Sequence, residues 1–214
     1  MNARWKILGP VLVILFPVIF WLVLVRGHNN FKRLPVIGPF EISAGGDTIY
    51  HTIPQFELKN QSGEVISEKN LEGKIFVANF FFATCKTICP KMNEQVHRMQ
   101  ESLKDVKDLQ ILSFTVDPEN DTVAALAEYA KMMKADNSRW WFLTGPKDSI
   151  YTLAREGFLV PASLGSGARD FFHSQDLILI DKEKKMRGIF DGTEAAEVDT
   201  LIDEIKVLLK EYQK

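Results

Sequence analysis

The longest apolar stretch of the chain is Ile7 to Val25, 19 residues without a charge, interrupted only by Gly9, Pro10 and Pro17. As a helix rising about 1.5 Å per residue it would be roughly 28 Å long, close to the ~30 Å hydrocarbon core of a bilayer. It lacks the polar face that a helix on a water-soluble domain needs, and its prolines are tolerated in a membrane helix. The run exceeds the apolar part of a secretory signal, and the following Arg26-Gly27-His28-Asn29 offers no small-residue cleavage site. Residues 1–26 therefore read as an uncleaved N-terminal transmembrane anchor. Arg4 and Lys6 precede the run while Arg26, Lys32 and Arg33 follow it, so the basic flanks do not orient it.

Residues 27–49 carry Asn29, Asn30, Pro35, Gly38, Pro39 and a Gly45-Gly46-Asp47 turn with little periodicity. They read as a tether, with packing of part of it on the next domain as the alternative. Regular patterning then fills residues 50–214. Phe56-Glu57-Leu58 and Glu64-Val65-Ile66 flank the polar turn Asn60-Gln61-Ser62-Gly63, which predicts a hairpin. Lys74 to Phe82 is almost wholly apolar and predicts a buried strand. Met92, Val96, Met99 and Leu103 fall at helical spacing, predicting a helix from Cys85 or Ile88 to Leu103. Further strands are expected at 111–116, 140–143, 177–180 and 188–190. Further helices are expected at 123–133, capped by Asp121-Thr122, at 148–155, stopped by Gly157, and at 195–209. This alternation, closed by an antiparallel pair, predicts an α/β sandwich around a mixed sheet.

Composition narrows the chemistry. The chain has 214 residues and a net charge of −2; without Arg4, Lys6 and Arg26, 23 basic residues face 28 acidic ones, a net of −5. The near-neutral charge and the lack of a basic block argue against nucleic acid as the main partner. Two cysteines exclude a multi-disulfide framework and a four-thiolate zinc site.

Both cysteines lie in Phe80-Phe81-Phe82-Ala83-Thr84-Cys85-Lys86-Thr87-Ile88-Cys89-Pro90, where a buried strand turns into a helix. If Cys85 occupies the first helical turn, i and i+4 put both sulfurs on one face. The helix N-terminus and the Lys86 cation should favour thiolate, and Pro90 costs little so early in a helix. Such a pair can form a disulfide or hold a soft metal ion. His173, in Asp170-Phe171-Phe172-His173-Ser174 just before an apolar strand, is placed to be a third ligand. His28 and His51 belong to the tether and its end, and His97 to the polar flank of the cysteine helix. Two thiolates and an imidazole suit Cu(I), with room for a further ligand on Cu(II). Structural zinc would want a fourth protein ligand.

Cys85-x-x-x-Cys89-Pro90, Thr115-Val116-Asp117-Pro118-Glu119-Asn120-Asp121-Thr122 and Phe172-His173-Ser174 before a Leu-Ile-Asp strand occur in this order. Together they resemble the Sco/SenC family over about residues 50–211. The resemblance implies a thioredoxin-like fold and a membrane-anchored domain on the outer face of the energy-conserving membrane (the periplasmic side if the source is bacterial). It further implies copper as cargo and a role in building the copper centre of cytochrome c oxidase. Partners would be the copper-receiving oxidase subunit and a copper donor or thiol reductant. It also implies that Cys85, Cys89 and His173 are the copper ligands, with Asp117 near the site and not a primary ligand. Two positions depart from the family pattern, Lys86 where Pro is common and Asn120 where Arg or Lys is usual.

The competing function is a membrane-tethered thiol–disulfide oxidoreductase using Cys85 and Cys89. Thioredoxin-like reductants usually place two residues between the cysteines, and here there are three. They also carry a proline where this chain has His173-Ser174-Gln175. A peroxiredoxin pattern is absent, since Pro and Thr are missing seven and three residues before either cysteine. The resemblance thus favours a metal-binding assembly factor over an enzyme.

Overall fold

The computed structural model describes residues 15–21, 33–160 and 174–212. Two compact units divide the chain, Met1–Lys32 and Arg33–Lys214. In the first, residues 15–21 are helical and exposed, with the rings of Phe16 and Phe20 stacked 6.0 Å apart. Among the described residues no helix is long and apolar enough to cross a membrane. Most of the expected Ile7–Val25 anchor, residues 7–14 and 22–25, lies outside the described residues.

The second unit is built on a five-stranded sheet. In chain order its strands are β5 (Ile75–Phe81), β6 (Leu109–Thr115), β7 (Trp140–Leu143), β8 (Asp176–Ile180) and β9 (Met186–Asp191), ordered β7-β6-β5-β8-β9 in space. Two hairpins precede them: β1 (Phe40–Ile42) with β2 (Thr48–Tyr50), and β3 (Glu57–Lys59) with β4 (Val65–Ser67). The 3-10 turn Glu68–Leu71 then leads into β5. The helices are α1 (Ile88–Ser102), α2 (Val123–Met132), α3 (Lys147–Thr152), continued by a π-turn at Leu153–Gly157, and α4 (Ala195–Glu211). β5, β6 and β7 are parallel, joined by α1 and α2; β8 runs antiparallel to β5, and β9 antiparallel to β8. This mixed sheet between helices fits a thioredoxin-like fold.

The central strand is apolar except for Asn79 because both its faces are covered. Ile75, Val77 and Phe81 pack with Met92, Val96 and Met99 of α1 and with Val198, Leu201 and Ile205 of α4. Phe76, Ala78 and Phe80 pack on the other side with Leu112, Phe114, Ile150, Leu153 and Phe158. Truncating one such buried side chain costs about 2–5 kcal/mol. The one polar residue of β5, Asn79, is fully buried and satisfied. It accepts from Ser113 Oγ at 2.7 Å, which in turn accepts from Trp140 Nε1 at 2.8 Å.

Of the segment read as a tether, Leu34 to Ile37 are fastened to the domain. Ile37 N–H donates to Met186 O at 2.8 Å, and Arg187 donates to the carbonyls of Leu34 at 2.6 Å and Pro35 at 3.2 Å. Arg187 also pairs with Asp181 and Glu211, each at 2.9 Å, and Glu211 accepts from Leu34 N–H. The physical reason is a buried guanidinium whose five donors need acceptors, some of which the passing backbone supplies. Burial works against its charge, but Glu211 and Asp181 more than offset this and raise its pKa.

Candidate metal centre

β5 ends at Phe81, and the chain turns tightly before α1. Cys85 N–H donates to Phe82 O at 3.1 Å, and α1 starts at Ile88. Cys85 therefore stands before the helix: of the two expected starts, Cys85 and Ile88, the second is the one observed, so the condition for stacking both sulfurs along a helical face is not met. The pair still meets. Cys89 N–H, one of the helix donors that have no intrahelical acceptor, points at Cys85 Sγ from 3.5 Å, and Thr87 Oγ1 is 3.8 Å from that sulfur. Pro90 follows within the first turn, where no N–H is needed. Both cysteines are buried and unbridged.

The two thiols are held differently. Burial raises the Cys85 thiol, yet hydrogen bonds from the backbone N–H groups of Cys89 and Thr87, and from the Cys89 and Thr87 side chains, outweigh it and leave the pKa at about 7. Cys89 is pushed up to about 12, first by burial and then by the sulfur of Cys85 beside it. The expectation that the helix N-terminus favours thiolate at both positions thus holds for Cys85 and fails for Cys89. Cys89 sits in the first turn and contributes its N–H to its neighbour. Lys86 is exposed, and the hydrogen bonds, not its charge, account for the lowered thiol.

One buried carboxylate braces the loop. Asp121, 1% exposed, accepts from Ala83 N–H at 3.0 Å through Oδ2, and the same oxygen accepts from Thr115 Oγ1. Burial raises its pKa against these hydrogen bonds. Asp117, also buried, accepts from Asn120 Nδ2 at 2.8 Å, and its N–H donates to Thr115 Oγ1 at 3.0 Å. Asn120, the departure from the usual basic residue, thus gives Asp117 a neutral donor. Of the Asp121-Thr122 pair expected to cap α2, Thr122 is the cap, accepting from Ala125 N–H at 3.3 Å. Asp121 instead ties the end of β6 to the cysteine loop. Nothing in an Asp-Thr pair distinguishes the two.

Tyr129 was also missed, because its spacing in α2 reads as core. Its ring stacks on Phe81 at 5.2 Å, and its hydroxyl accepts from Asn93 Nδ2. Burial and then the nearby charges of Cys89 and Cys85 raise its pKa, so it stays a neutral phenol beside the pair.

His173 lies outside the described residues. The described chain resumes at Ser174, and β8 lies beside β5 with Ala78 opposite Ile178. The strands run oppositely, so residues just before β8 and just after β5 come to the same end of the sheet. His51 is structural: its Nε2 hydrogen-bonds Gly157 O at 2.8 Å. His97 is half-buried, and not at the surface as its helical position suggested. His28 lies outside the described residues. Among the described residues no three His, Cys, Asp or Glu side chains form a group that could hold a metal.

The family model described as SCO1/SenC matches residues 46–210. A curated relative, the SCO1 protein homolog of Bacillus subtilis, is 31% identical over 162 residues, spanning 75% of this chain and 84% of the relative. A solved structure of BsSco, described as a member of the Sco family of cytochrome c oxidase assembly proteins with a disulfide switch, superposes with a TM-score of 0.65. It is 30% identical and covers 74% of this chain and 93% of its own. Yeast Sco1 with copper bound superposes with a TM-score of 0.61 at 27% identity, covering 76% and 90%. The match to most of the Arg33–Lys214 unit, with the paired cysteines at the end of β5, makes this chain a member of the SCO1/SenC family.

Proposed function

We propose that this protein is a membrane-anchored, extracytoplasmic copper metallochaperone that carries copper on Cys85, Cys89 and His173 and assists assembly of the copper centre of cytochrome c oxidase. The observation that carries this reading is the sulfur pair itself, with one thiol poised near neutrality and the other kept from solvent at a sheet end. Two soft donors side by side fit Cu(I) better than a hard cation. Ser174, emerging at that same end, supports His173 as the third donor. Copper-bound yeast Sco1 and the oxidase-assembly role of BsSco supply the cargo and the receiving partner by kinship. The Ile7–Val25 run supplies the anchor. Asp117 stands beside the site, bonded to the same Thr115 hydroxyl that Asp121 holds, and exposed Lys86 lies on the surface a partner would meet.

The split between the two thiols also suits a thiol–disulfide exchange role, in which Cys85 attacks and Cys89 resolves. Anaerobic Cu(I) titration of the reduced full chain in detergent separates the readings. The expected result is one copper per chain, bound more weakly by His173→Ala and not at all by Cys85→Ser/Cys89→Ser. No copper binding, together with rapid reduction of a protein disulfide, would replace the chaperone reading by the oxidoreductase one.

A further inference from the structure

The β1–β2 hairpin leaves apolar side chains in water. Its register pairs Phe40 with Tyr50, Glu41 with Ile49 and Ile42 with Thr48. Paired residues of an antiparallel ladder share a face, so Phe40, Ile42, Thr48 and Tyr50 form one uncharged face, and Glu41 and Ile49 the other. Phe40 is 60% exposed and Ile42 69%, and the Phe40 and Tyr50 rings lie 6.2 Å apart. The hairpin is fixed at its base, where His51 N–H donates to Pro39 O at 3.0 Å, while at its tip the space a side chain at Gly46 would enter is open. A two-stranded ribbon gains little stability in water. Spending its large side chains on solvent calls for a covering surface.

Chain length identifies that surface. Only residues 26–32 separate the apolar run ending at Val25 from the described domain, and seven residues reach at most about 25 Å. From Leu34 the backbone is pinned by Arg187 and Glu211, and Phe40 follows six residues later. Phe, Ile and a phenol on one uncharged face have the composition of a segment seated at a membrane–water interface. The turn beside the hairpin is lysine-rich: Lys185 Nζ lies 5.5 Å from the Tyr50 ring, and Ile53 N–H donates to Lys184 O. Lys185 also pairs with Glu183, and Lys182 with Asp108.

We propose that the Phe40, Ile42 and Tyr50 face of the β1–β2 hairpin lies in the lipid headgroup layer and docks the domain on its own membrane. This rests on the anchor reading of Ile7–Val25. The hairpin joins the sheet beside Met186, the end remote from Cys85. Docking therefore holds the cysteine end away from lipid, toward a partner standing above the membrane.

The test uses the full chain in Cys85→Ser/Cys89→Ser background, reconstituted in vesicles of phosphatidylcholine and phosphatidylglycerol. An environment-sensitive fluorophore is attached at Ile42→Cys or Phe40→Cys, with exposed Lys131→Cys on α2 as control. Flotation of the vesicles reports anchoring independently. Co-flotation with quenching by brominated lipid several-fold stronger at 42 and 40 than at 131 is the expected result. Co-flotation with equal, weak quenching at all three overturns hairpin docking and leaves the anchor standing. Failure to co-float overturns the anchor reading and the docking with it. Shielding of the probe that appears only at high protein density, or only on adding an oxidase, would assign the face to a second copy or to that partner and overturn the lipid proposal.

Discussion

The two ends of the sheet handle buried polar groups in opposite ways. At one end Arg187 is 7% exposed and fully engaged, by Asp181, Glu211 and two backbone carbonyls. At the other, Cys85 receives N–H and hydroxyl donors but no cation, and Cys89 beside it is held protonated by burial. The first arrangement has one stable charge state and serves to clasp the entering chain. The second leaves a donor pair whose protonation changes near neutral pH, which a metal or a disulfide partner can exploit.

The contrast can be broken from either end. Replacing Cys85 with Ser should abolish stoichiometric copper binding, read by competition against a chelator, while leaving the urea midpoint nearly unchanged. Arg187→Met should do the reverse. It strands Asp181 and Glu211 and should cost about 3–5 kcal/mol in urea unfolding, with copper stoichiometry retained. Loss of copper binding in Arg187→Met at full stability would show that the two ends are not independent. Asp121→Ala lies between these cases. Removing the acceptor for Ala83 N–H and Thr115 should cost about 1–3 kcal/mol and raise the pH at which Cys85 becomes reactive, because the loop that presents it slackens.

The smallest effect is also the sharpest. A thiol whose pKa is lowered from 9.0 to about 7 gains thiolate as pH rises through about 7, two units earlier than an ordinary cysteine. The stabilisation that goes with this is present above the unfolded value and is lost as pH falls through about 7. Alkylation followed by peptide mass analysis should therefore find Cys85 modified with a midpoint near pH 7, and Cys89 unmodified until strongly alkaline pH. Equal midpoints would remove the asymmetry.

Much of this was legible in the sequence, for identifiable reasons. β5 could be read because both of its faces are buried, so no polar position interrupts Ile75–Phe81 except Asn79. The cysteine spacing, the Val116-Asp117-Pro118 segment and the Phe172-His173-Ser174 segment carried the family resemblance in order. What escaped was non-local or ambiguous. Leu34, Asp181, Arg187 and Glu211 meet only through the tertiary fold, so no spacing announces their clasp. β1 and β2 are three residues each, around Gly45-Gly46, and their outward apolar residues obey no burial pattern. A four-residue cysteine spacing fits a helical face as well as a turn capped by a helix, and the structure chose the turn.

X-ray absorption at the copper edge of the Cu(I)-loaded full chain, wild type and His173→Ala, tests the ligand set most directly. Two sulfurs and one imidazole nitrogen around each copper are expected, with the nitrogen lost in the variant. Coordination by oxygen and nitrogen alone, or an identical spectrum without His173, would contradict it.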